Sequence, residues 1–282
     1  LSRNPFKQPF PQKLCYMVGL KELMCVESRF TIFPTEFGLM TTLEKVELEL
    51  SAIRVPPKEI ARNGLEAIVS YCKLVYDSIS SHFLDLREFS FEEVPVDVCT
   101  VPNLEEILLD KNQISYIPPQ PFRMSRKDSK EEVIDIFDVV SGQTFQAVPD
   151  LMDMTSLTKI SATHNNLVTL PDTIFKLTNL SELYLDNNQL TSLPEELGEV
   201  HTLTLLTLLN NELTVLPVTI GQLSELEVFE ADFDTKIIAP PPEITKVRKA
   251  KGLSHVLEYM LAFTDARRES EIELIELELM TV

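Results

Sequence analysis

Apolar residues recur along this chain with a stride of 23. Leu157, Leu180, Leu203 and Leu226 each open a unit; within it apolar side chains return at +3, +5, +10 and +13, Asn stands at +8 and Pro at +14. One unit reads Leu180, Leu183, Leu185, Asn188, Leu190, Leu193, Pro194, Leu197, and the units before and after repeat it from Leu157 and Leu203. The +3/+5 pair has the period of a strand with one buried face. Asn188 then turns the chain inward, Leu193-Pro194 starts the return path, and Leu197 and Val200 cover the core from the other side. A unit this thin cannot bury its own apolar face, so it must stack on its neighbours.

The same ruler reaches outward with weaker matches. Leu20, Leu43, Ser81 and Leu104 open further units, the last keeping Ile107, Leu109, Asn112, Ile114, Ile117 and Pro118. One degenerate unit is expected between it and Leu157, over 134–156, preceded by a protruding loop near 123–133. The pattern resembles the leucine-rich-repeat family, in particular its short intracellular, Ras-suppressor-like class. That resemblance implies an α/β fold: a right-handed solenoid, or horseshoe, with a curved parallel sheet. It also implies that the Asn side chains bond backbone groups of neighbouring units. About ten strands at ~4.8 Å spacing predict a concave face on the order of 45–50 Å long.

A longer period overlies the short one. Pro56-Pro57-Lys58-Glu59-Ile60 matches Pro240-Pro241-Pro242-Glu243-Ile244, and Gly64, Leu65, Ile68, Val69 and Tyr71 match Gly252, Leu253, Val256, Leu257 and Tyr259 at an offset of 188. Leu65, Ile68, Val69, Cys72 and Val75 fall on one face of an amphipathic helix, which predicts burial against the neighbouring repeats. The organisation that follows is a first repeat block over 1–60, a helical linker over 61–80, a second block over 81–244, a second helical linker over 245–268, and the start of another repeat over 269–282. Both ends fall inside a unit, so the sequence reads as a piece of a longer chain. The Pro-Pro-x-Glu-Ile segment with its helix also resembles the end of the repeat region in ROCO-type proteins. No phosphate-binding G-x-x-x-x-G-K-[ST] loop occurs in the sequence.

Charge narrows the partners. The chain carries 25 basic against 44 acidic residues, a net charge of -19. Such a surface repels nucleic acid and anionic membranes and suits a basic protein partner. Two basic clusters, Arg123, Arg126, Lys127 and Lys130, and Lys246, Arg248, Lys249 and Lys251, read as solvated loops. No apolar run approaches the ~20 residues of a membrane span. Cys15, Cys25, Cys72 and Cys99 show no metal-site spacing and read as reduced residues of a cytoplasmic protein.

Nothing in the motifs points to catalysis. The four His fall at unrelated repeat positions, and neither H-E-x-x-H nor a nucleophile elbow occurs. No catalytic residue, cofactor or metal is expected. Function is therefore expected on the concave face, whose residues alternate with the buried ones. There Tyr184, Leu205, Leu209 and Val228 place apolar or aromatic side chains where water is expected, with Thr207 among them and Glu182, Asp186, Glu230 and Asp232 around them. An apolar anchor with a charged rim is the pattern of a binding hot spot. The expected function is a scaffold for protein–protein recognition in intracellular signalling. Two alternatives stay open: a regulatory repeat arm of a larger ROCO-like GTPase or kinase, and a structural part of a cytoskeletal assembly. Partner identity and oligomeric state are not encoded in these patterns.

Overall fold

The computed structural model describes residues 9–17, 19–25, 28, 30–47, 49, 53–117, 151–233, 236–240 and 253–263. Each unit contributes one three-residue strand, and its middle residue is the +3 apolar position. These strands are β1 (Glu22–Met24), β2 (Lys45–Glu47), β3 (Phe83–Asp85), β4 (Glu106–Leu108), β5 (Lys159–Ser161), β6 (Glu182–Tyr184), β7 (Leu205–Thr207) and β8 (Val228–Glu230). All pairings are parallel, with Leu84, Ile107, Ile160, Leu183, Leu206 and Phe229 in one buried row. The return path is a 3-10 turn beginning just after the +14 proline, as in Asp172–Lys176 after Pro171 and Glu195–Glu199 after Pro194. Proline suits that place because its φ is already near helical and its missing N–H would have no partner there.

Buried asparagines stitch successive units together. Asn188 Oδ1 accepts the Leu167 N–H at 3.0 Å, and Nδ2 donates to the carbonyls of Ala162 (2.9 Å) and Leu185 (3.0 Å). Asn112, Asn165 and Asn211 make the corresponding bonds. The role implied by the family resemblance is therefore present in four units. The residue before each asparagine is left-handed: Lys111, His164, Asn187 and Asn210 have φ between 55° and 57°.

Two expectations need correction. The strands form two sheets, β1–β2 and β3–β8, rather than one. The six-stranded sheet spans only about 24 Å at ordinary spacing. Moreover, β4 pairs directly with β5, Ile107 opposite Ile160, a step of 53 residues where the ordinary one is 23. No degenerate repeat contributes a strand between them. The 30 surplus residues enter one unit between its Pro118 and Leu151 and leave its strand register intact. The loop near 123–133, both basic clusters, the segments 1–8 and 269–282 and residues 241–252 lie outside the described residues.

The sheet breaks where a helix enters the opposite layer. A short helix, α1 (Lys58–Ala61), leads into α2 (Leu65–Ser81), which buries Ile68, Tyr71, Cys72, Val75 and Ser78. The buried face is close to the expected one, with Tyr71 in place of Val69 at its centre. On one side α2 rests on the 3-10 turn Thr35–Leu39 at Gly38, where a Cβ would lie 2.1 Å from the Lys73 nitrogen. On its other side Tyr71 donates a hydrogen bond to Asp97 Oδ1 at 3.0 Å, in the turn Val96–Thr100. A second helix, α3 (253–263), rests the same way on Gly221 of the turn Val218–Gln222, where a Cβ would lie 2.4 Å from the Leu261 nitrogen. Both glycines stand at +18 of their units, so the long period corresponds to a repeated helix seat.

Asp97 is 3% exposed, and burial pushes its carboxyl up to about 6, against the opposing effect of the Tyr71 hydroxyl. An unfolded aspartate titrates near 3.9. The raised folded value means that the native state binds this proton more tightly than the unfolded one. Its stabilising contribution is complete below about pH 3.9 and is lost as pH rises through about 6. Asp97→Asn, which keeps an acceptor for Tyr71, is expected to raise stability at pH 7 by roughly 2–3 kcal/mol and by almost nothing at pH 4. Paired urea titrations at the two pH values check this; an equal effect at both would contradict it.

Candidate binding surface

The strand register decides which outward side chains are neighbours. Lys159, Glu182, Leu205 and Val228 form one cross-strand row, and Ser161, Tyr184, Thr207 and Glu230 the next. Leu205 thus stands directly beside Val228, as the apolar anchor expected from sequence requires. Val228 is 40% exposed, while Leu205, Leu209 and Tyr184 are half-buried. Glu230 is exposed and Asp232 half-buried.

Several rim residues are already committed within the fold. Thr207, expected to face the partner, is only 7% exposed and donates its hydroxyl to Asp186 Oδ2 at 2.7 Å. Asp186 Oδ1 also accepts the Leu209 N–H at 2.6 Å, and Asp232 Oδ2 accepts the Asn211 N–H at 3.3 Å. Asp110 does the same two sheet positions earlier, accepting from Ser161 Oγ, Thr163 N and Thr163 Oγ1. At Asp110 and Asp186 a carboxylate at +6 thus caps polar groups of the following unit, whereas Asp232 bonds back to the preceding one. This second ladder is set by the pairing of +6 with the next unit's +4 and +6 positions, a relation that one unit's consensus does not display. Glu182 meanwhile accepts from the Tyr184 hydroxyl at 3.0 Å and pairs with Lys159 at 3.2 Å. The hydrogen bond to Glu182 raises the Lys159 ammonium above its usual range, and burial with the same carboxylate raises the Tyr184 phenol. Lys159 Nζ also lies 5.4 Å from the centre of the Tyr184 ring. What remains open on β6–β8 is Leu205, Leu209, Val228 and Glu230, a smaller and more apolar surface than expected.

A sizeable cavity lies elsewhere. About 640 Å³ opens beside the turns after β3, β4 and β5, with Leu74 of α2 on its edge. Sequence reasoning missed it because α2 and those turns are brought together only in space. His164 lines this cavity, while His82 caps the end of α2 with its Nδ1 2.8 Å from the Asn103 carbonyl oxygen. Among the described residues no group of three or more His, Cys, Asp or Glu side chains is placed to hold a metal ion.

Comparison with known proteins agrees with the repeat. Residues 155–213 match the family described as Leucine rich repeat. No curated protein sequence matches the chain. Solved structures similar to it include a leucine-rich-repeat protein of Leptospira interrogans, 18% identical with a TM-score of 0.38, over 82% of this chain and 53% of that one. An internalin from Listeria monocytogenes is 17% identical with a TM-score of 0.42, over 79% and 51%. YopM from Yersinia enterocolitica is 25% identical with a TM-score of 0.36, over 58% and 27%. The chain spans about half the length of the first two. Its own strand register and asparagine ladder show the leucine-rich-repeat solenoid fold, and residues 155–213 match the model of that repeat.

Proposed function

We propose that this chain is a protein-recognition scaffold that captures a partner on the open face of β6–β8. The observation that carries the reading is the cross-strand pair Leu205–Val228, apolar side chains held side by side, with Leu209 half-buried nearby and the charged Glu230 beside them. Apolar area left in water at a rigid, pre-formed surface is the usual core of an interface. The strongly acidic chain suits a partner with a basic surface, which its field would steer inward. The buried, unbridged thiols Cys15, Cys25 and Cys72 support a reducing, cytoplasmic setting, and among the described residues no helix is long and apolar enough to cross a membrane. Within this reading the repeat blocks form the binding scaffold, with α2 (Leu65–Ser81) between them and α3 (253–263) after the second, and the role is binding in a signalling assembly rather than catalysis.

Leu205→Glu combined with Leu209→Glu is expected to abolish partner capture. Both side chains are half-buried, so the double variant should keep the wild-type circular dichroism spectrum and lose little thermal stability. The check is affinity capture with the two proteins side by side, the captured set identified by mass spectrometry. The same set on both would overturn the reading.

A further inference from the structure

The cavity of about 640 Å³ beside α2 does not involve the Leu205 surface. Its apolar wall is Leu74 and Phe89, the latter stacked on Phe91 with ring centres 5.3 Å apart. Its ionic wall carries Asp85, Glu88 and Asp110 against Arg87 and Lys111. Arg87 is bidentate to Asp85 (Nε–Oδ1 2.8 Å, Nη2–Oδ2 2.6 Å), and this bonding holds the Asp85 carboxyl below its usual range. Lys111 lies 2.6 Å from Glu88. In that second pair both side chains are more than 60% exposed. Ion pairs this wet are weak, so an incoming ion of either sign can displace one member.

Two observations choose the sign. Three carboxylates line the cavity against two permanent cations, in a chain of net charge -19 whose field draws in cations and repels anions. The Leu74–Phe89 wall suits a long aliphatic stem ending in a positive head, which can lie across an aromatic face. The rim is also strained. Glu88, Lys111 and His164 have φ of 66°, 56° and 55°, a conformation that the two following units give to Asn187 and Asn210. Asparagine tolerates it, whereas other side chains cost about 1 kcal/mol more there. Strained residues gather at sites of function.

We propose that this cavity binds a basic peptide segment of a partner, whose arginine or lysine side chain lies along Leu74 and Phe89 and replaces Arg87 or Lys111 on Asp85 and Glu88. The probes are two fluorescein-labelled peptides, Gly-Arg-Gly-Arg-Gly and its glutamate counterpart, titrated with the whole chain and followed by anisotropy. The arginine peptide should bind and the glutamate peptide should not. Asp85→Asn with Glu88→Gln should weaken binding by about fivefold or more. Arg87→Gln with Lys111→Gln should tighten it about threefold by removing the internal competitors. The same charge change at the distant, exposed Lys21 and Lys45 controls for the general field and should alter affinity less than about twofold. Tighter binding of the glutamate peptide would make this an anion site and overturn the proposal. So would an equal gain from the Lys21/Lys45 control, or no loss in a folded Asp85/Glu88 variant.

Discussion

Gly38→Ala is expected to unseat helix α2. The new methyl carbon would stand 2.1 Å from the Lys73 nitrogen and 2.3 Å from its Cα, both backbone atoms that cannot move without the whole helix. Ordinary overpacking costs 1–3 kcal/mol; a clash against backbone belongs at or beyond the top of that range, about 3 kcal/mol or more. The loss should be local, because a solenoid is held by nearest-neighbour contacts. Amide hydrogen exchange should show lost protection over Leu65–Ser81 while β6–β8 keep theirs. Gly64→Ala separates steric clash from chain flexibility. Gly64 has φ of 88° and ψ of -170°, a conformation nearly confined to glycine, but nothing within 4 Å of an added Cβ, so its replacement should cost about 1–3 kcal/mol through backbone strain while leaving α2 seated. A Gly38 variant with wild-type protection in α2 would show that the helix does not rest on the turn Thr35–Leu39.

Asn188→Ala should be the most damaging truncation in the second block. It removes the acceptor for the Leu167 N–H and the donor shared by the Ala162 and Leu185 carbonyls, all in the buried interior. Each stranded backbone group costs about 1–3 kcal/mol, so a total of about 3–5 kcal/mol is expected. Asn188→Asp should do no better, since its oxygens meet two carbonyl oxygens. Asn187→Ala, next door with φ of 57°, should cost only about 1 kcal/mol. Urea denaturation of the three variants ranks them. If Asn187→Ala proved the worst, turn conformation rather than the buried ladder would be what holds these units.

These two positions mark how far the sequence could be read. Asn188 was legible because its environment is periodic: a 23-residue stride exposes the position at +8, and the family resemblance implied its bonding. Gly38 was not, although it too sits at a repeated position. Nothing in its own unit distinguishes it from the half-exposed residues around it; the helix that demands a glycine lies 35 residues further on, from Lys73. The buried Tyr71–Asp97 bond was missed for the same reason, its partners being 26 residues apart on different elements. The binding surface was legible in part. Leu205 and Val228 are adjacent because successive strands pair in register. Thr207 and Asp186 turned out to be bound to each other, a consequence of side-chain reach between units.

The 23-residue stride alone determined the strand positions, the core rows and the turn after each proline, because every unit repeats the same contacts with the next; the bonding of the asparagine ladder came from the family resemblance. Tertiary structure decided where that regularity ends. Inserting α2 on one side of the stack separates β2 from β3 on the other, since a helix is wider than the 3-10 turn it stands among and adjacent strands must stay about 4.8 Å apart to pair. Extra residues between Pro118 and Leu151 had the opposite outcome. Here β4 and β5 still pair in register across the 53-residue step. Period shows what repeats; only packing in three dimensions shows which interruptions the stack absorbs and which one divides it.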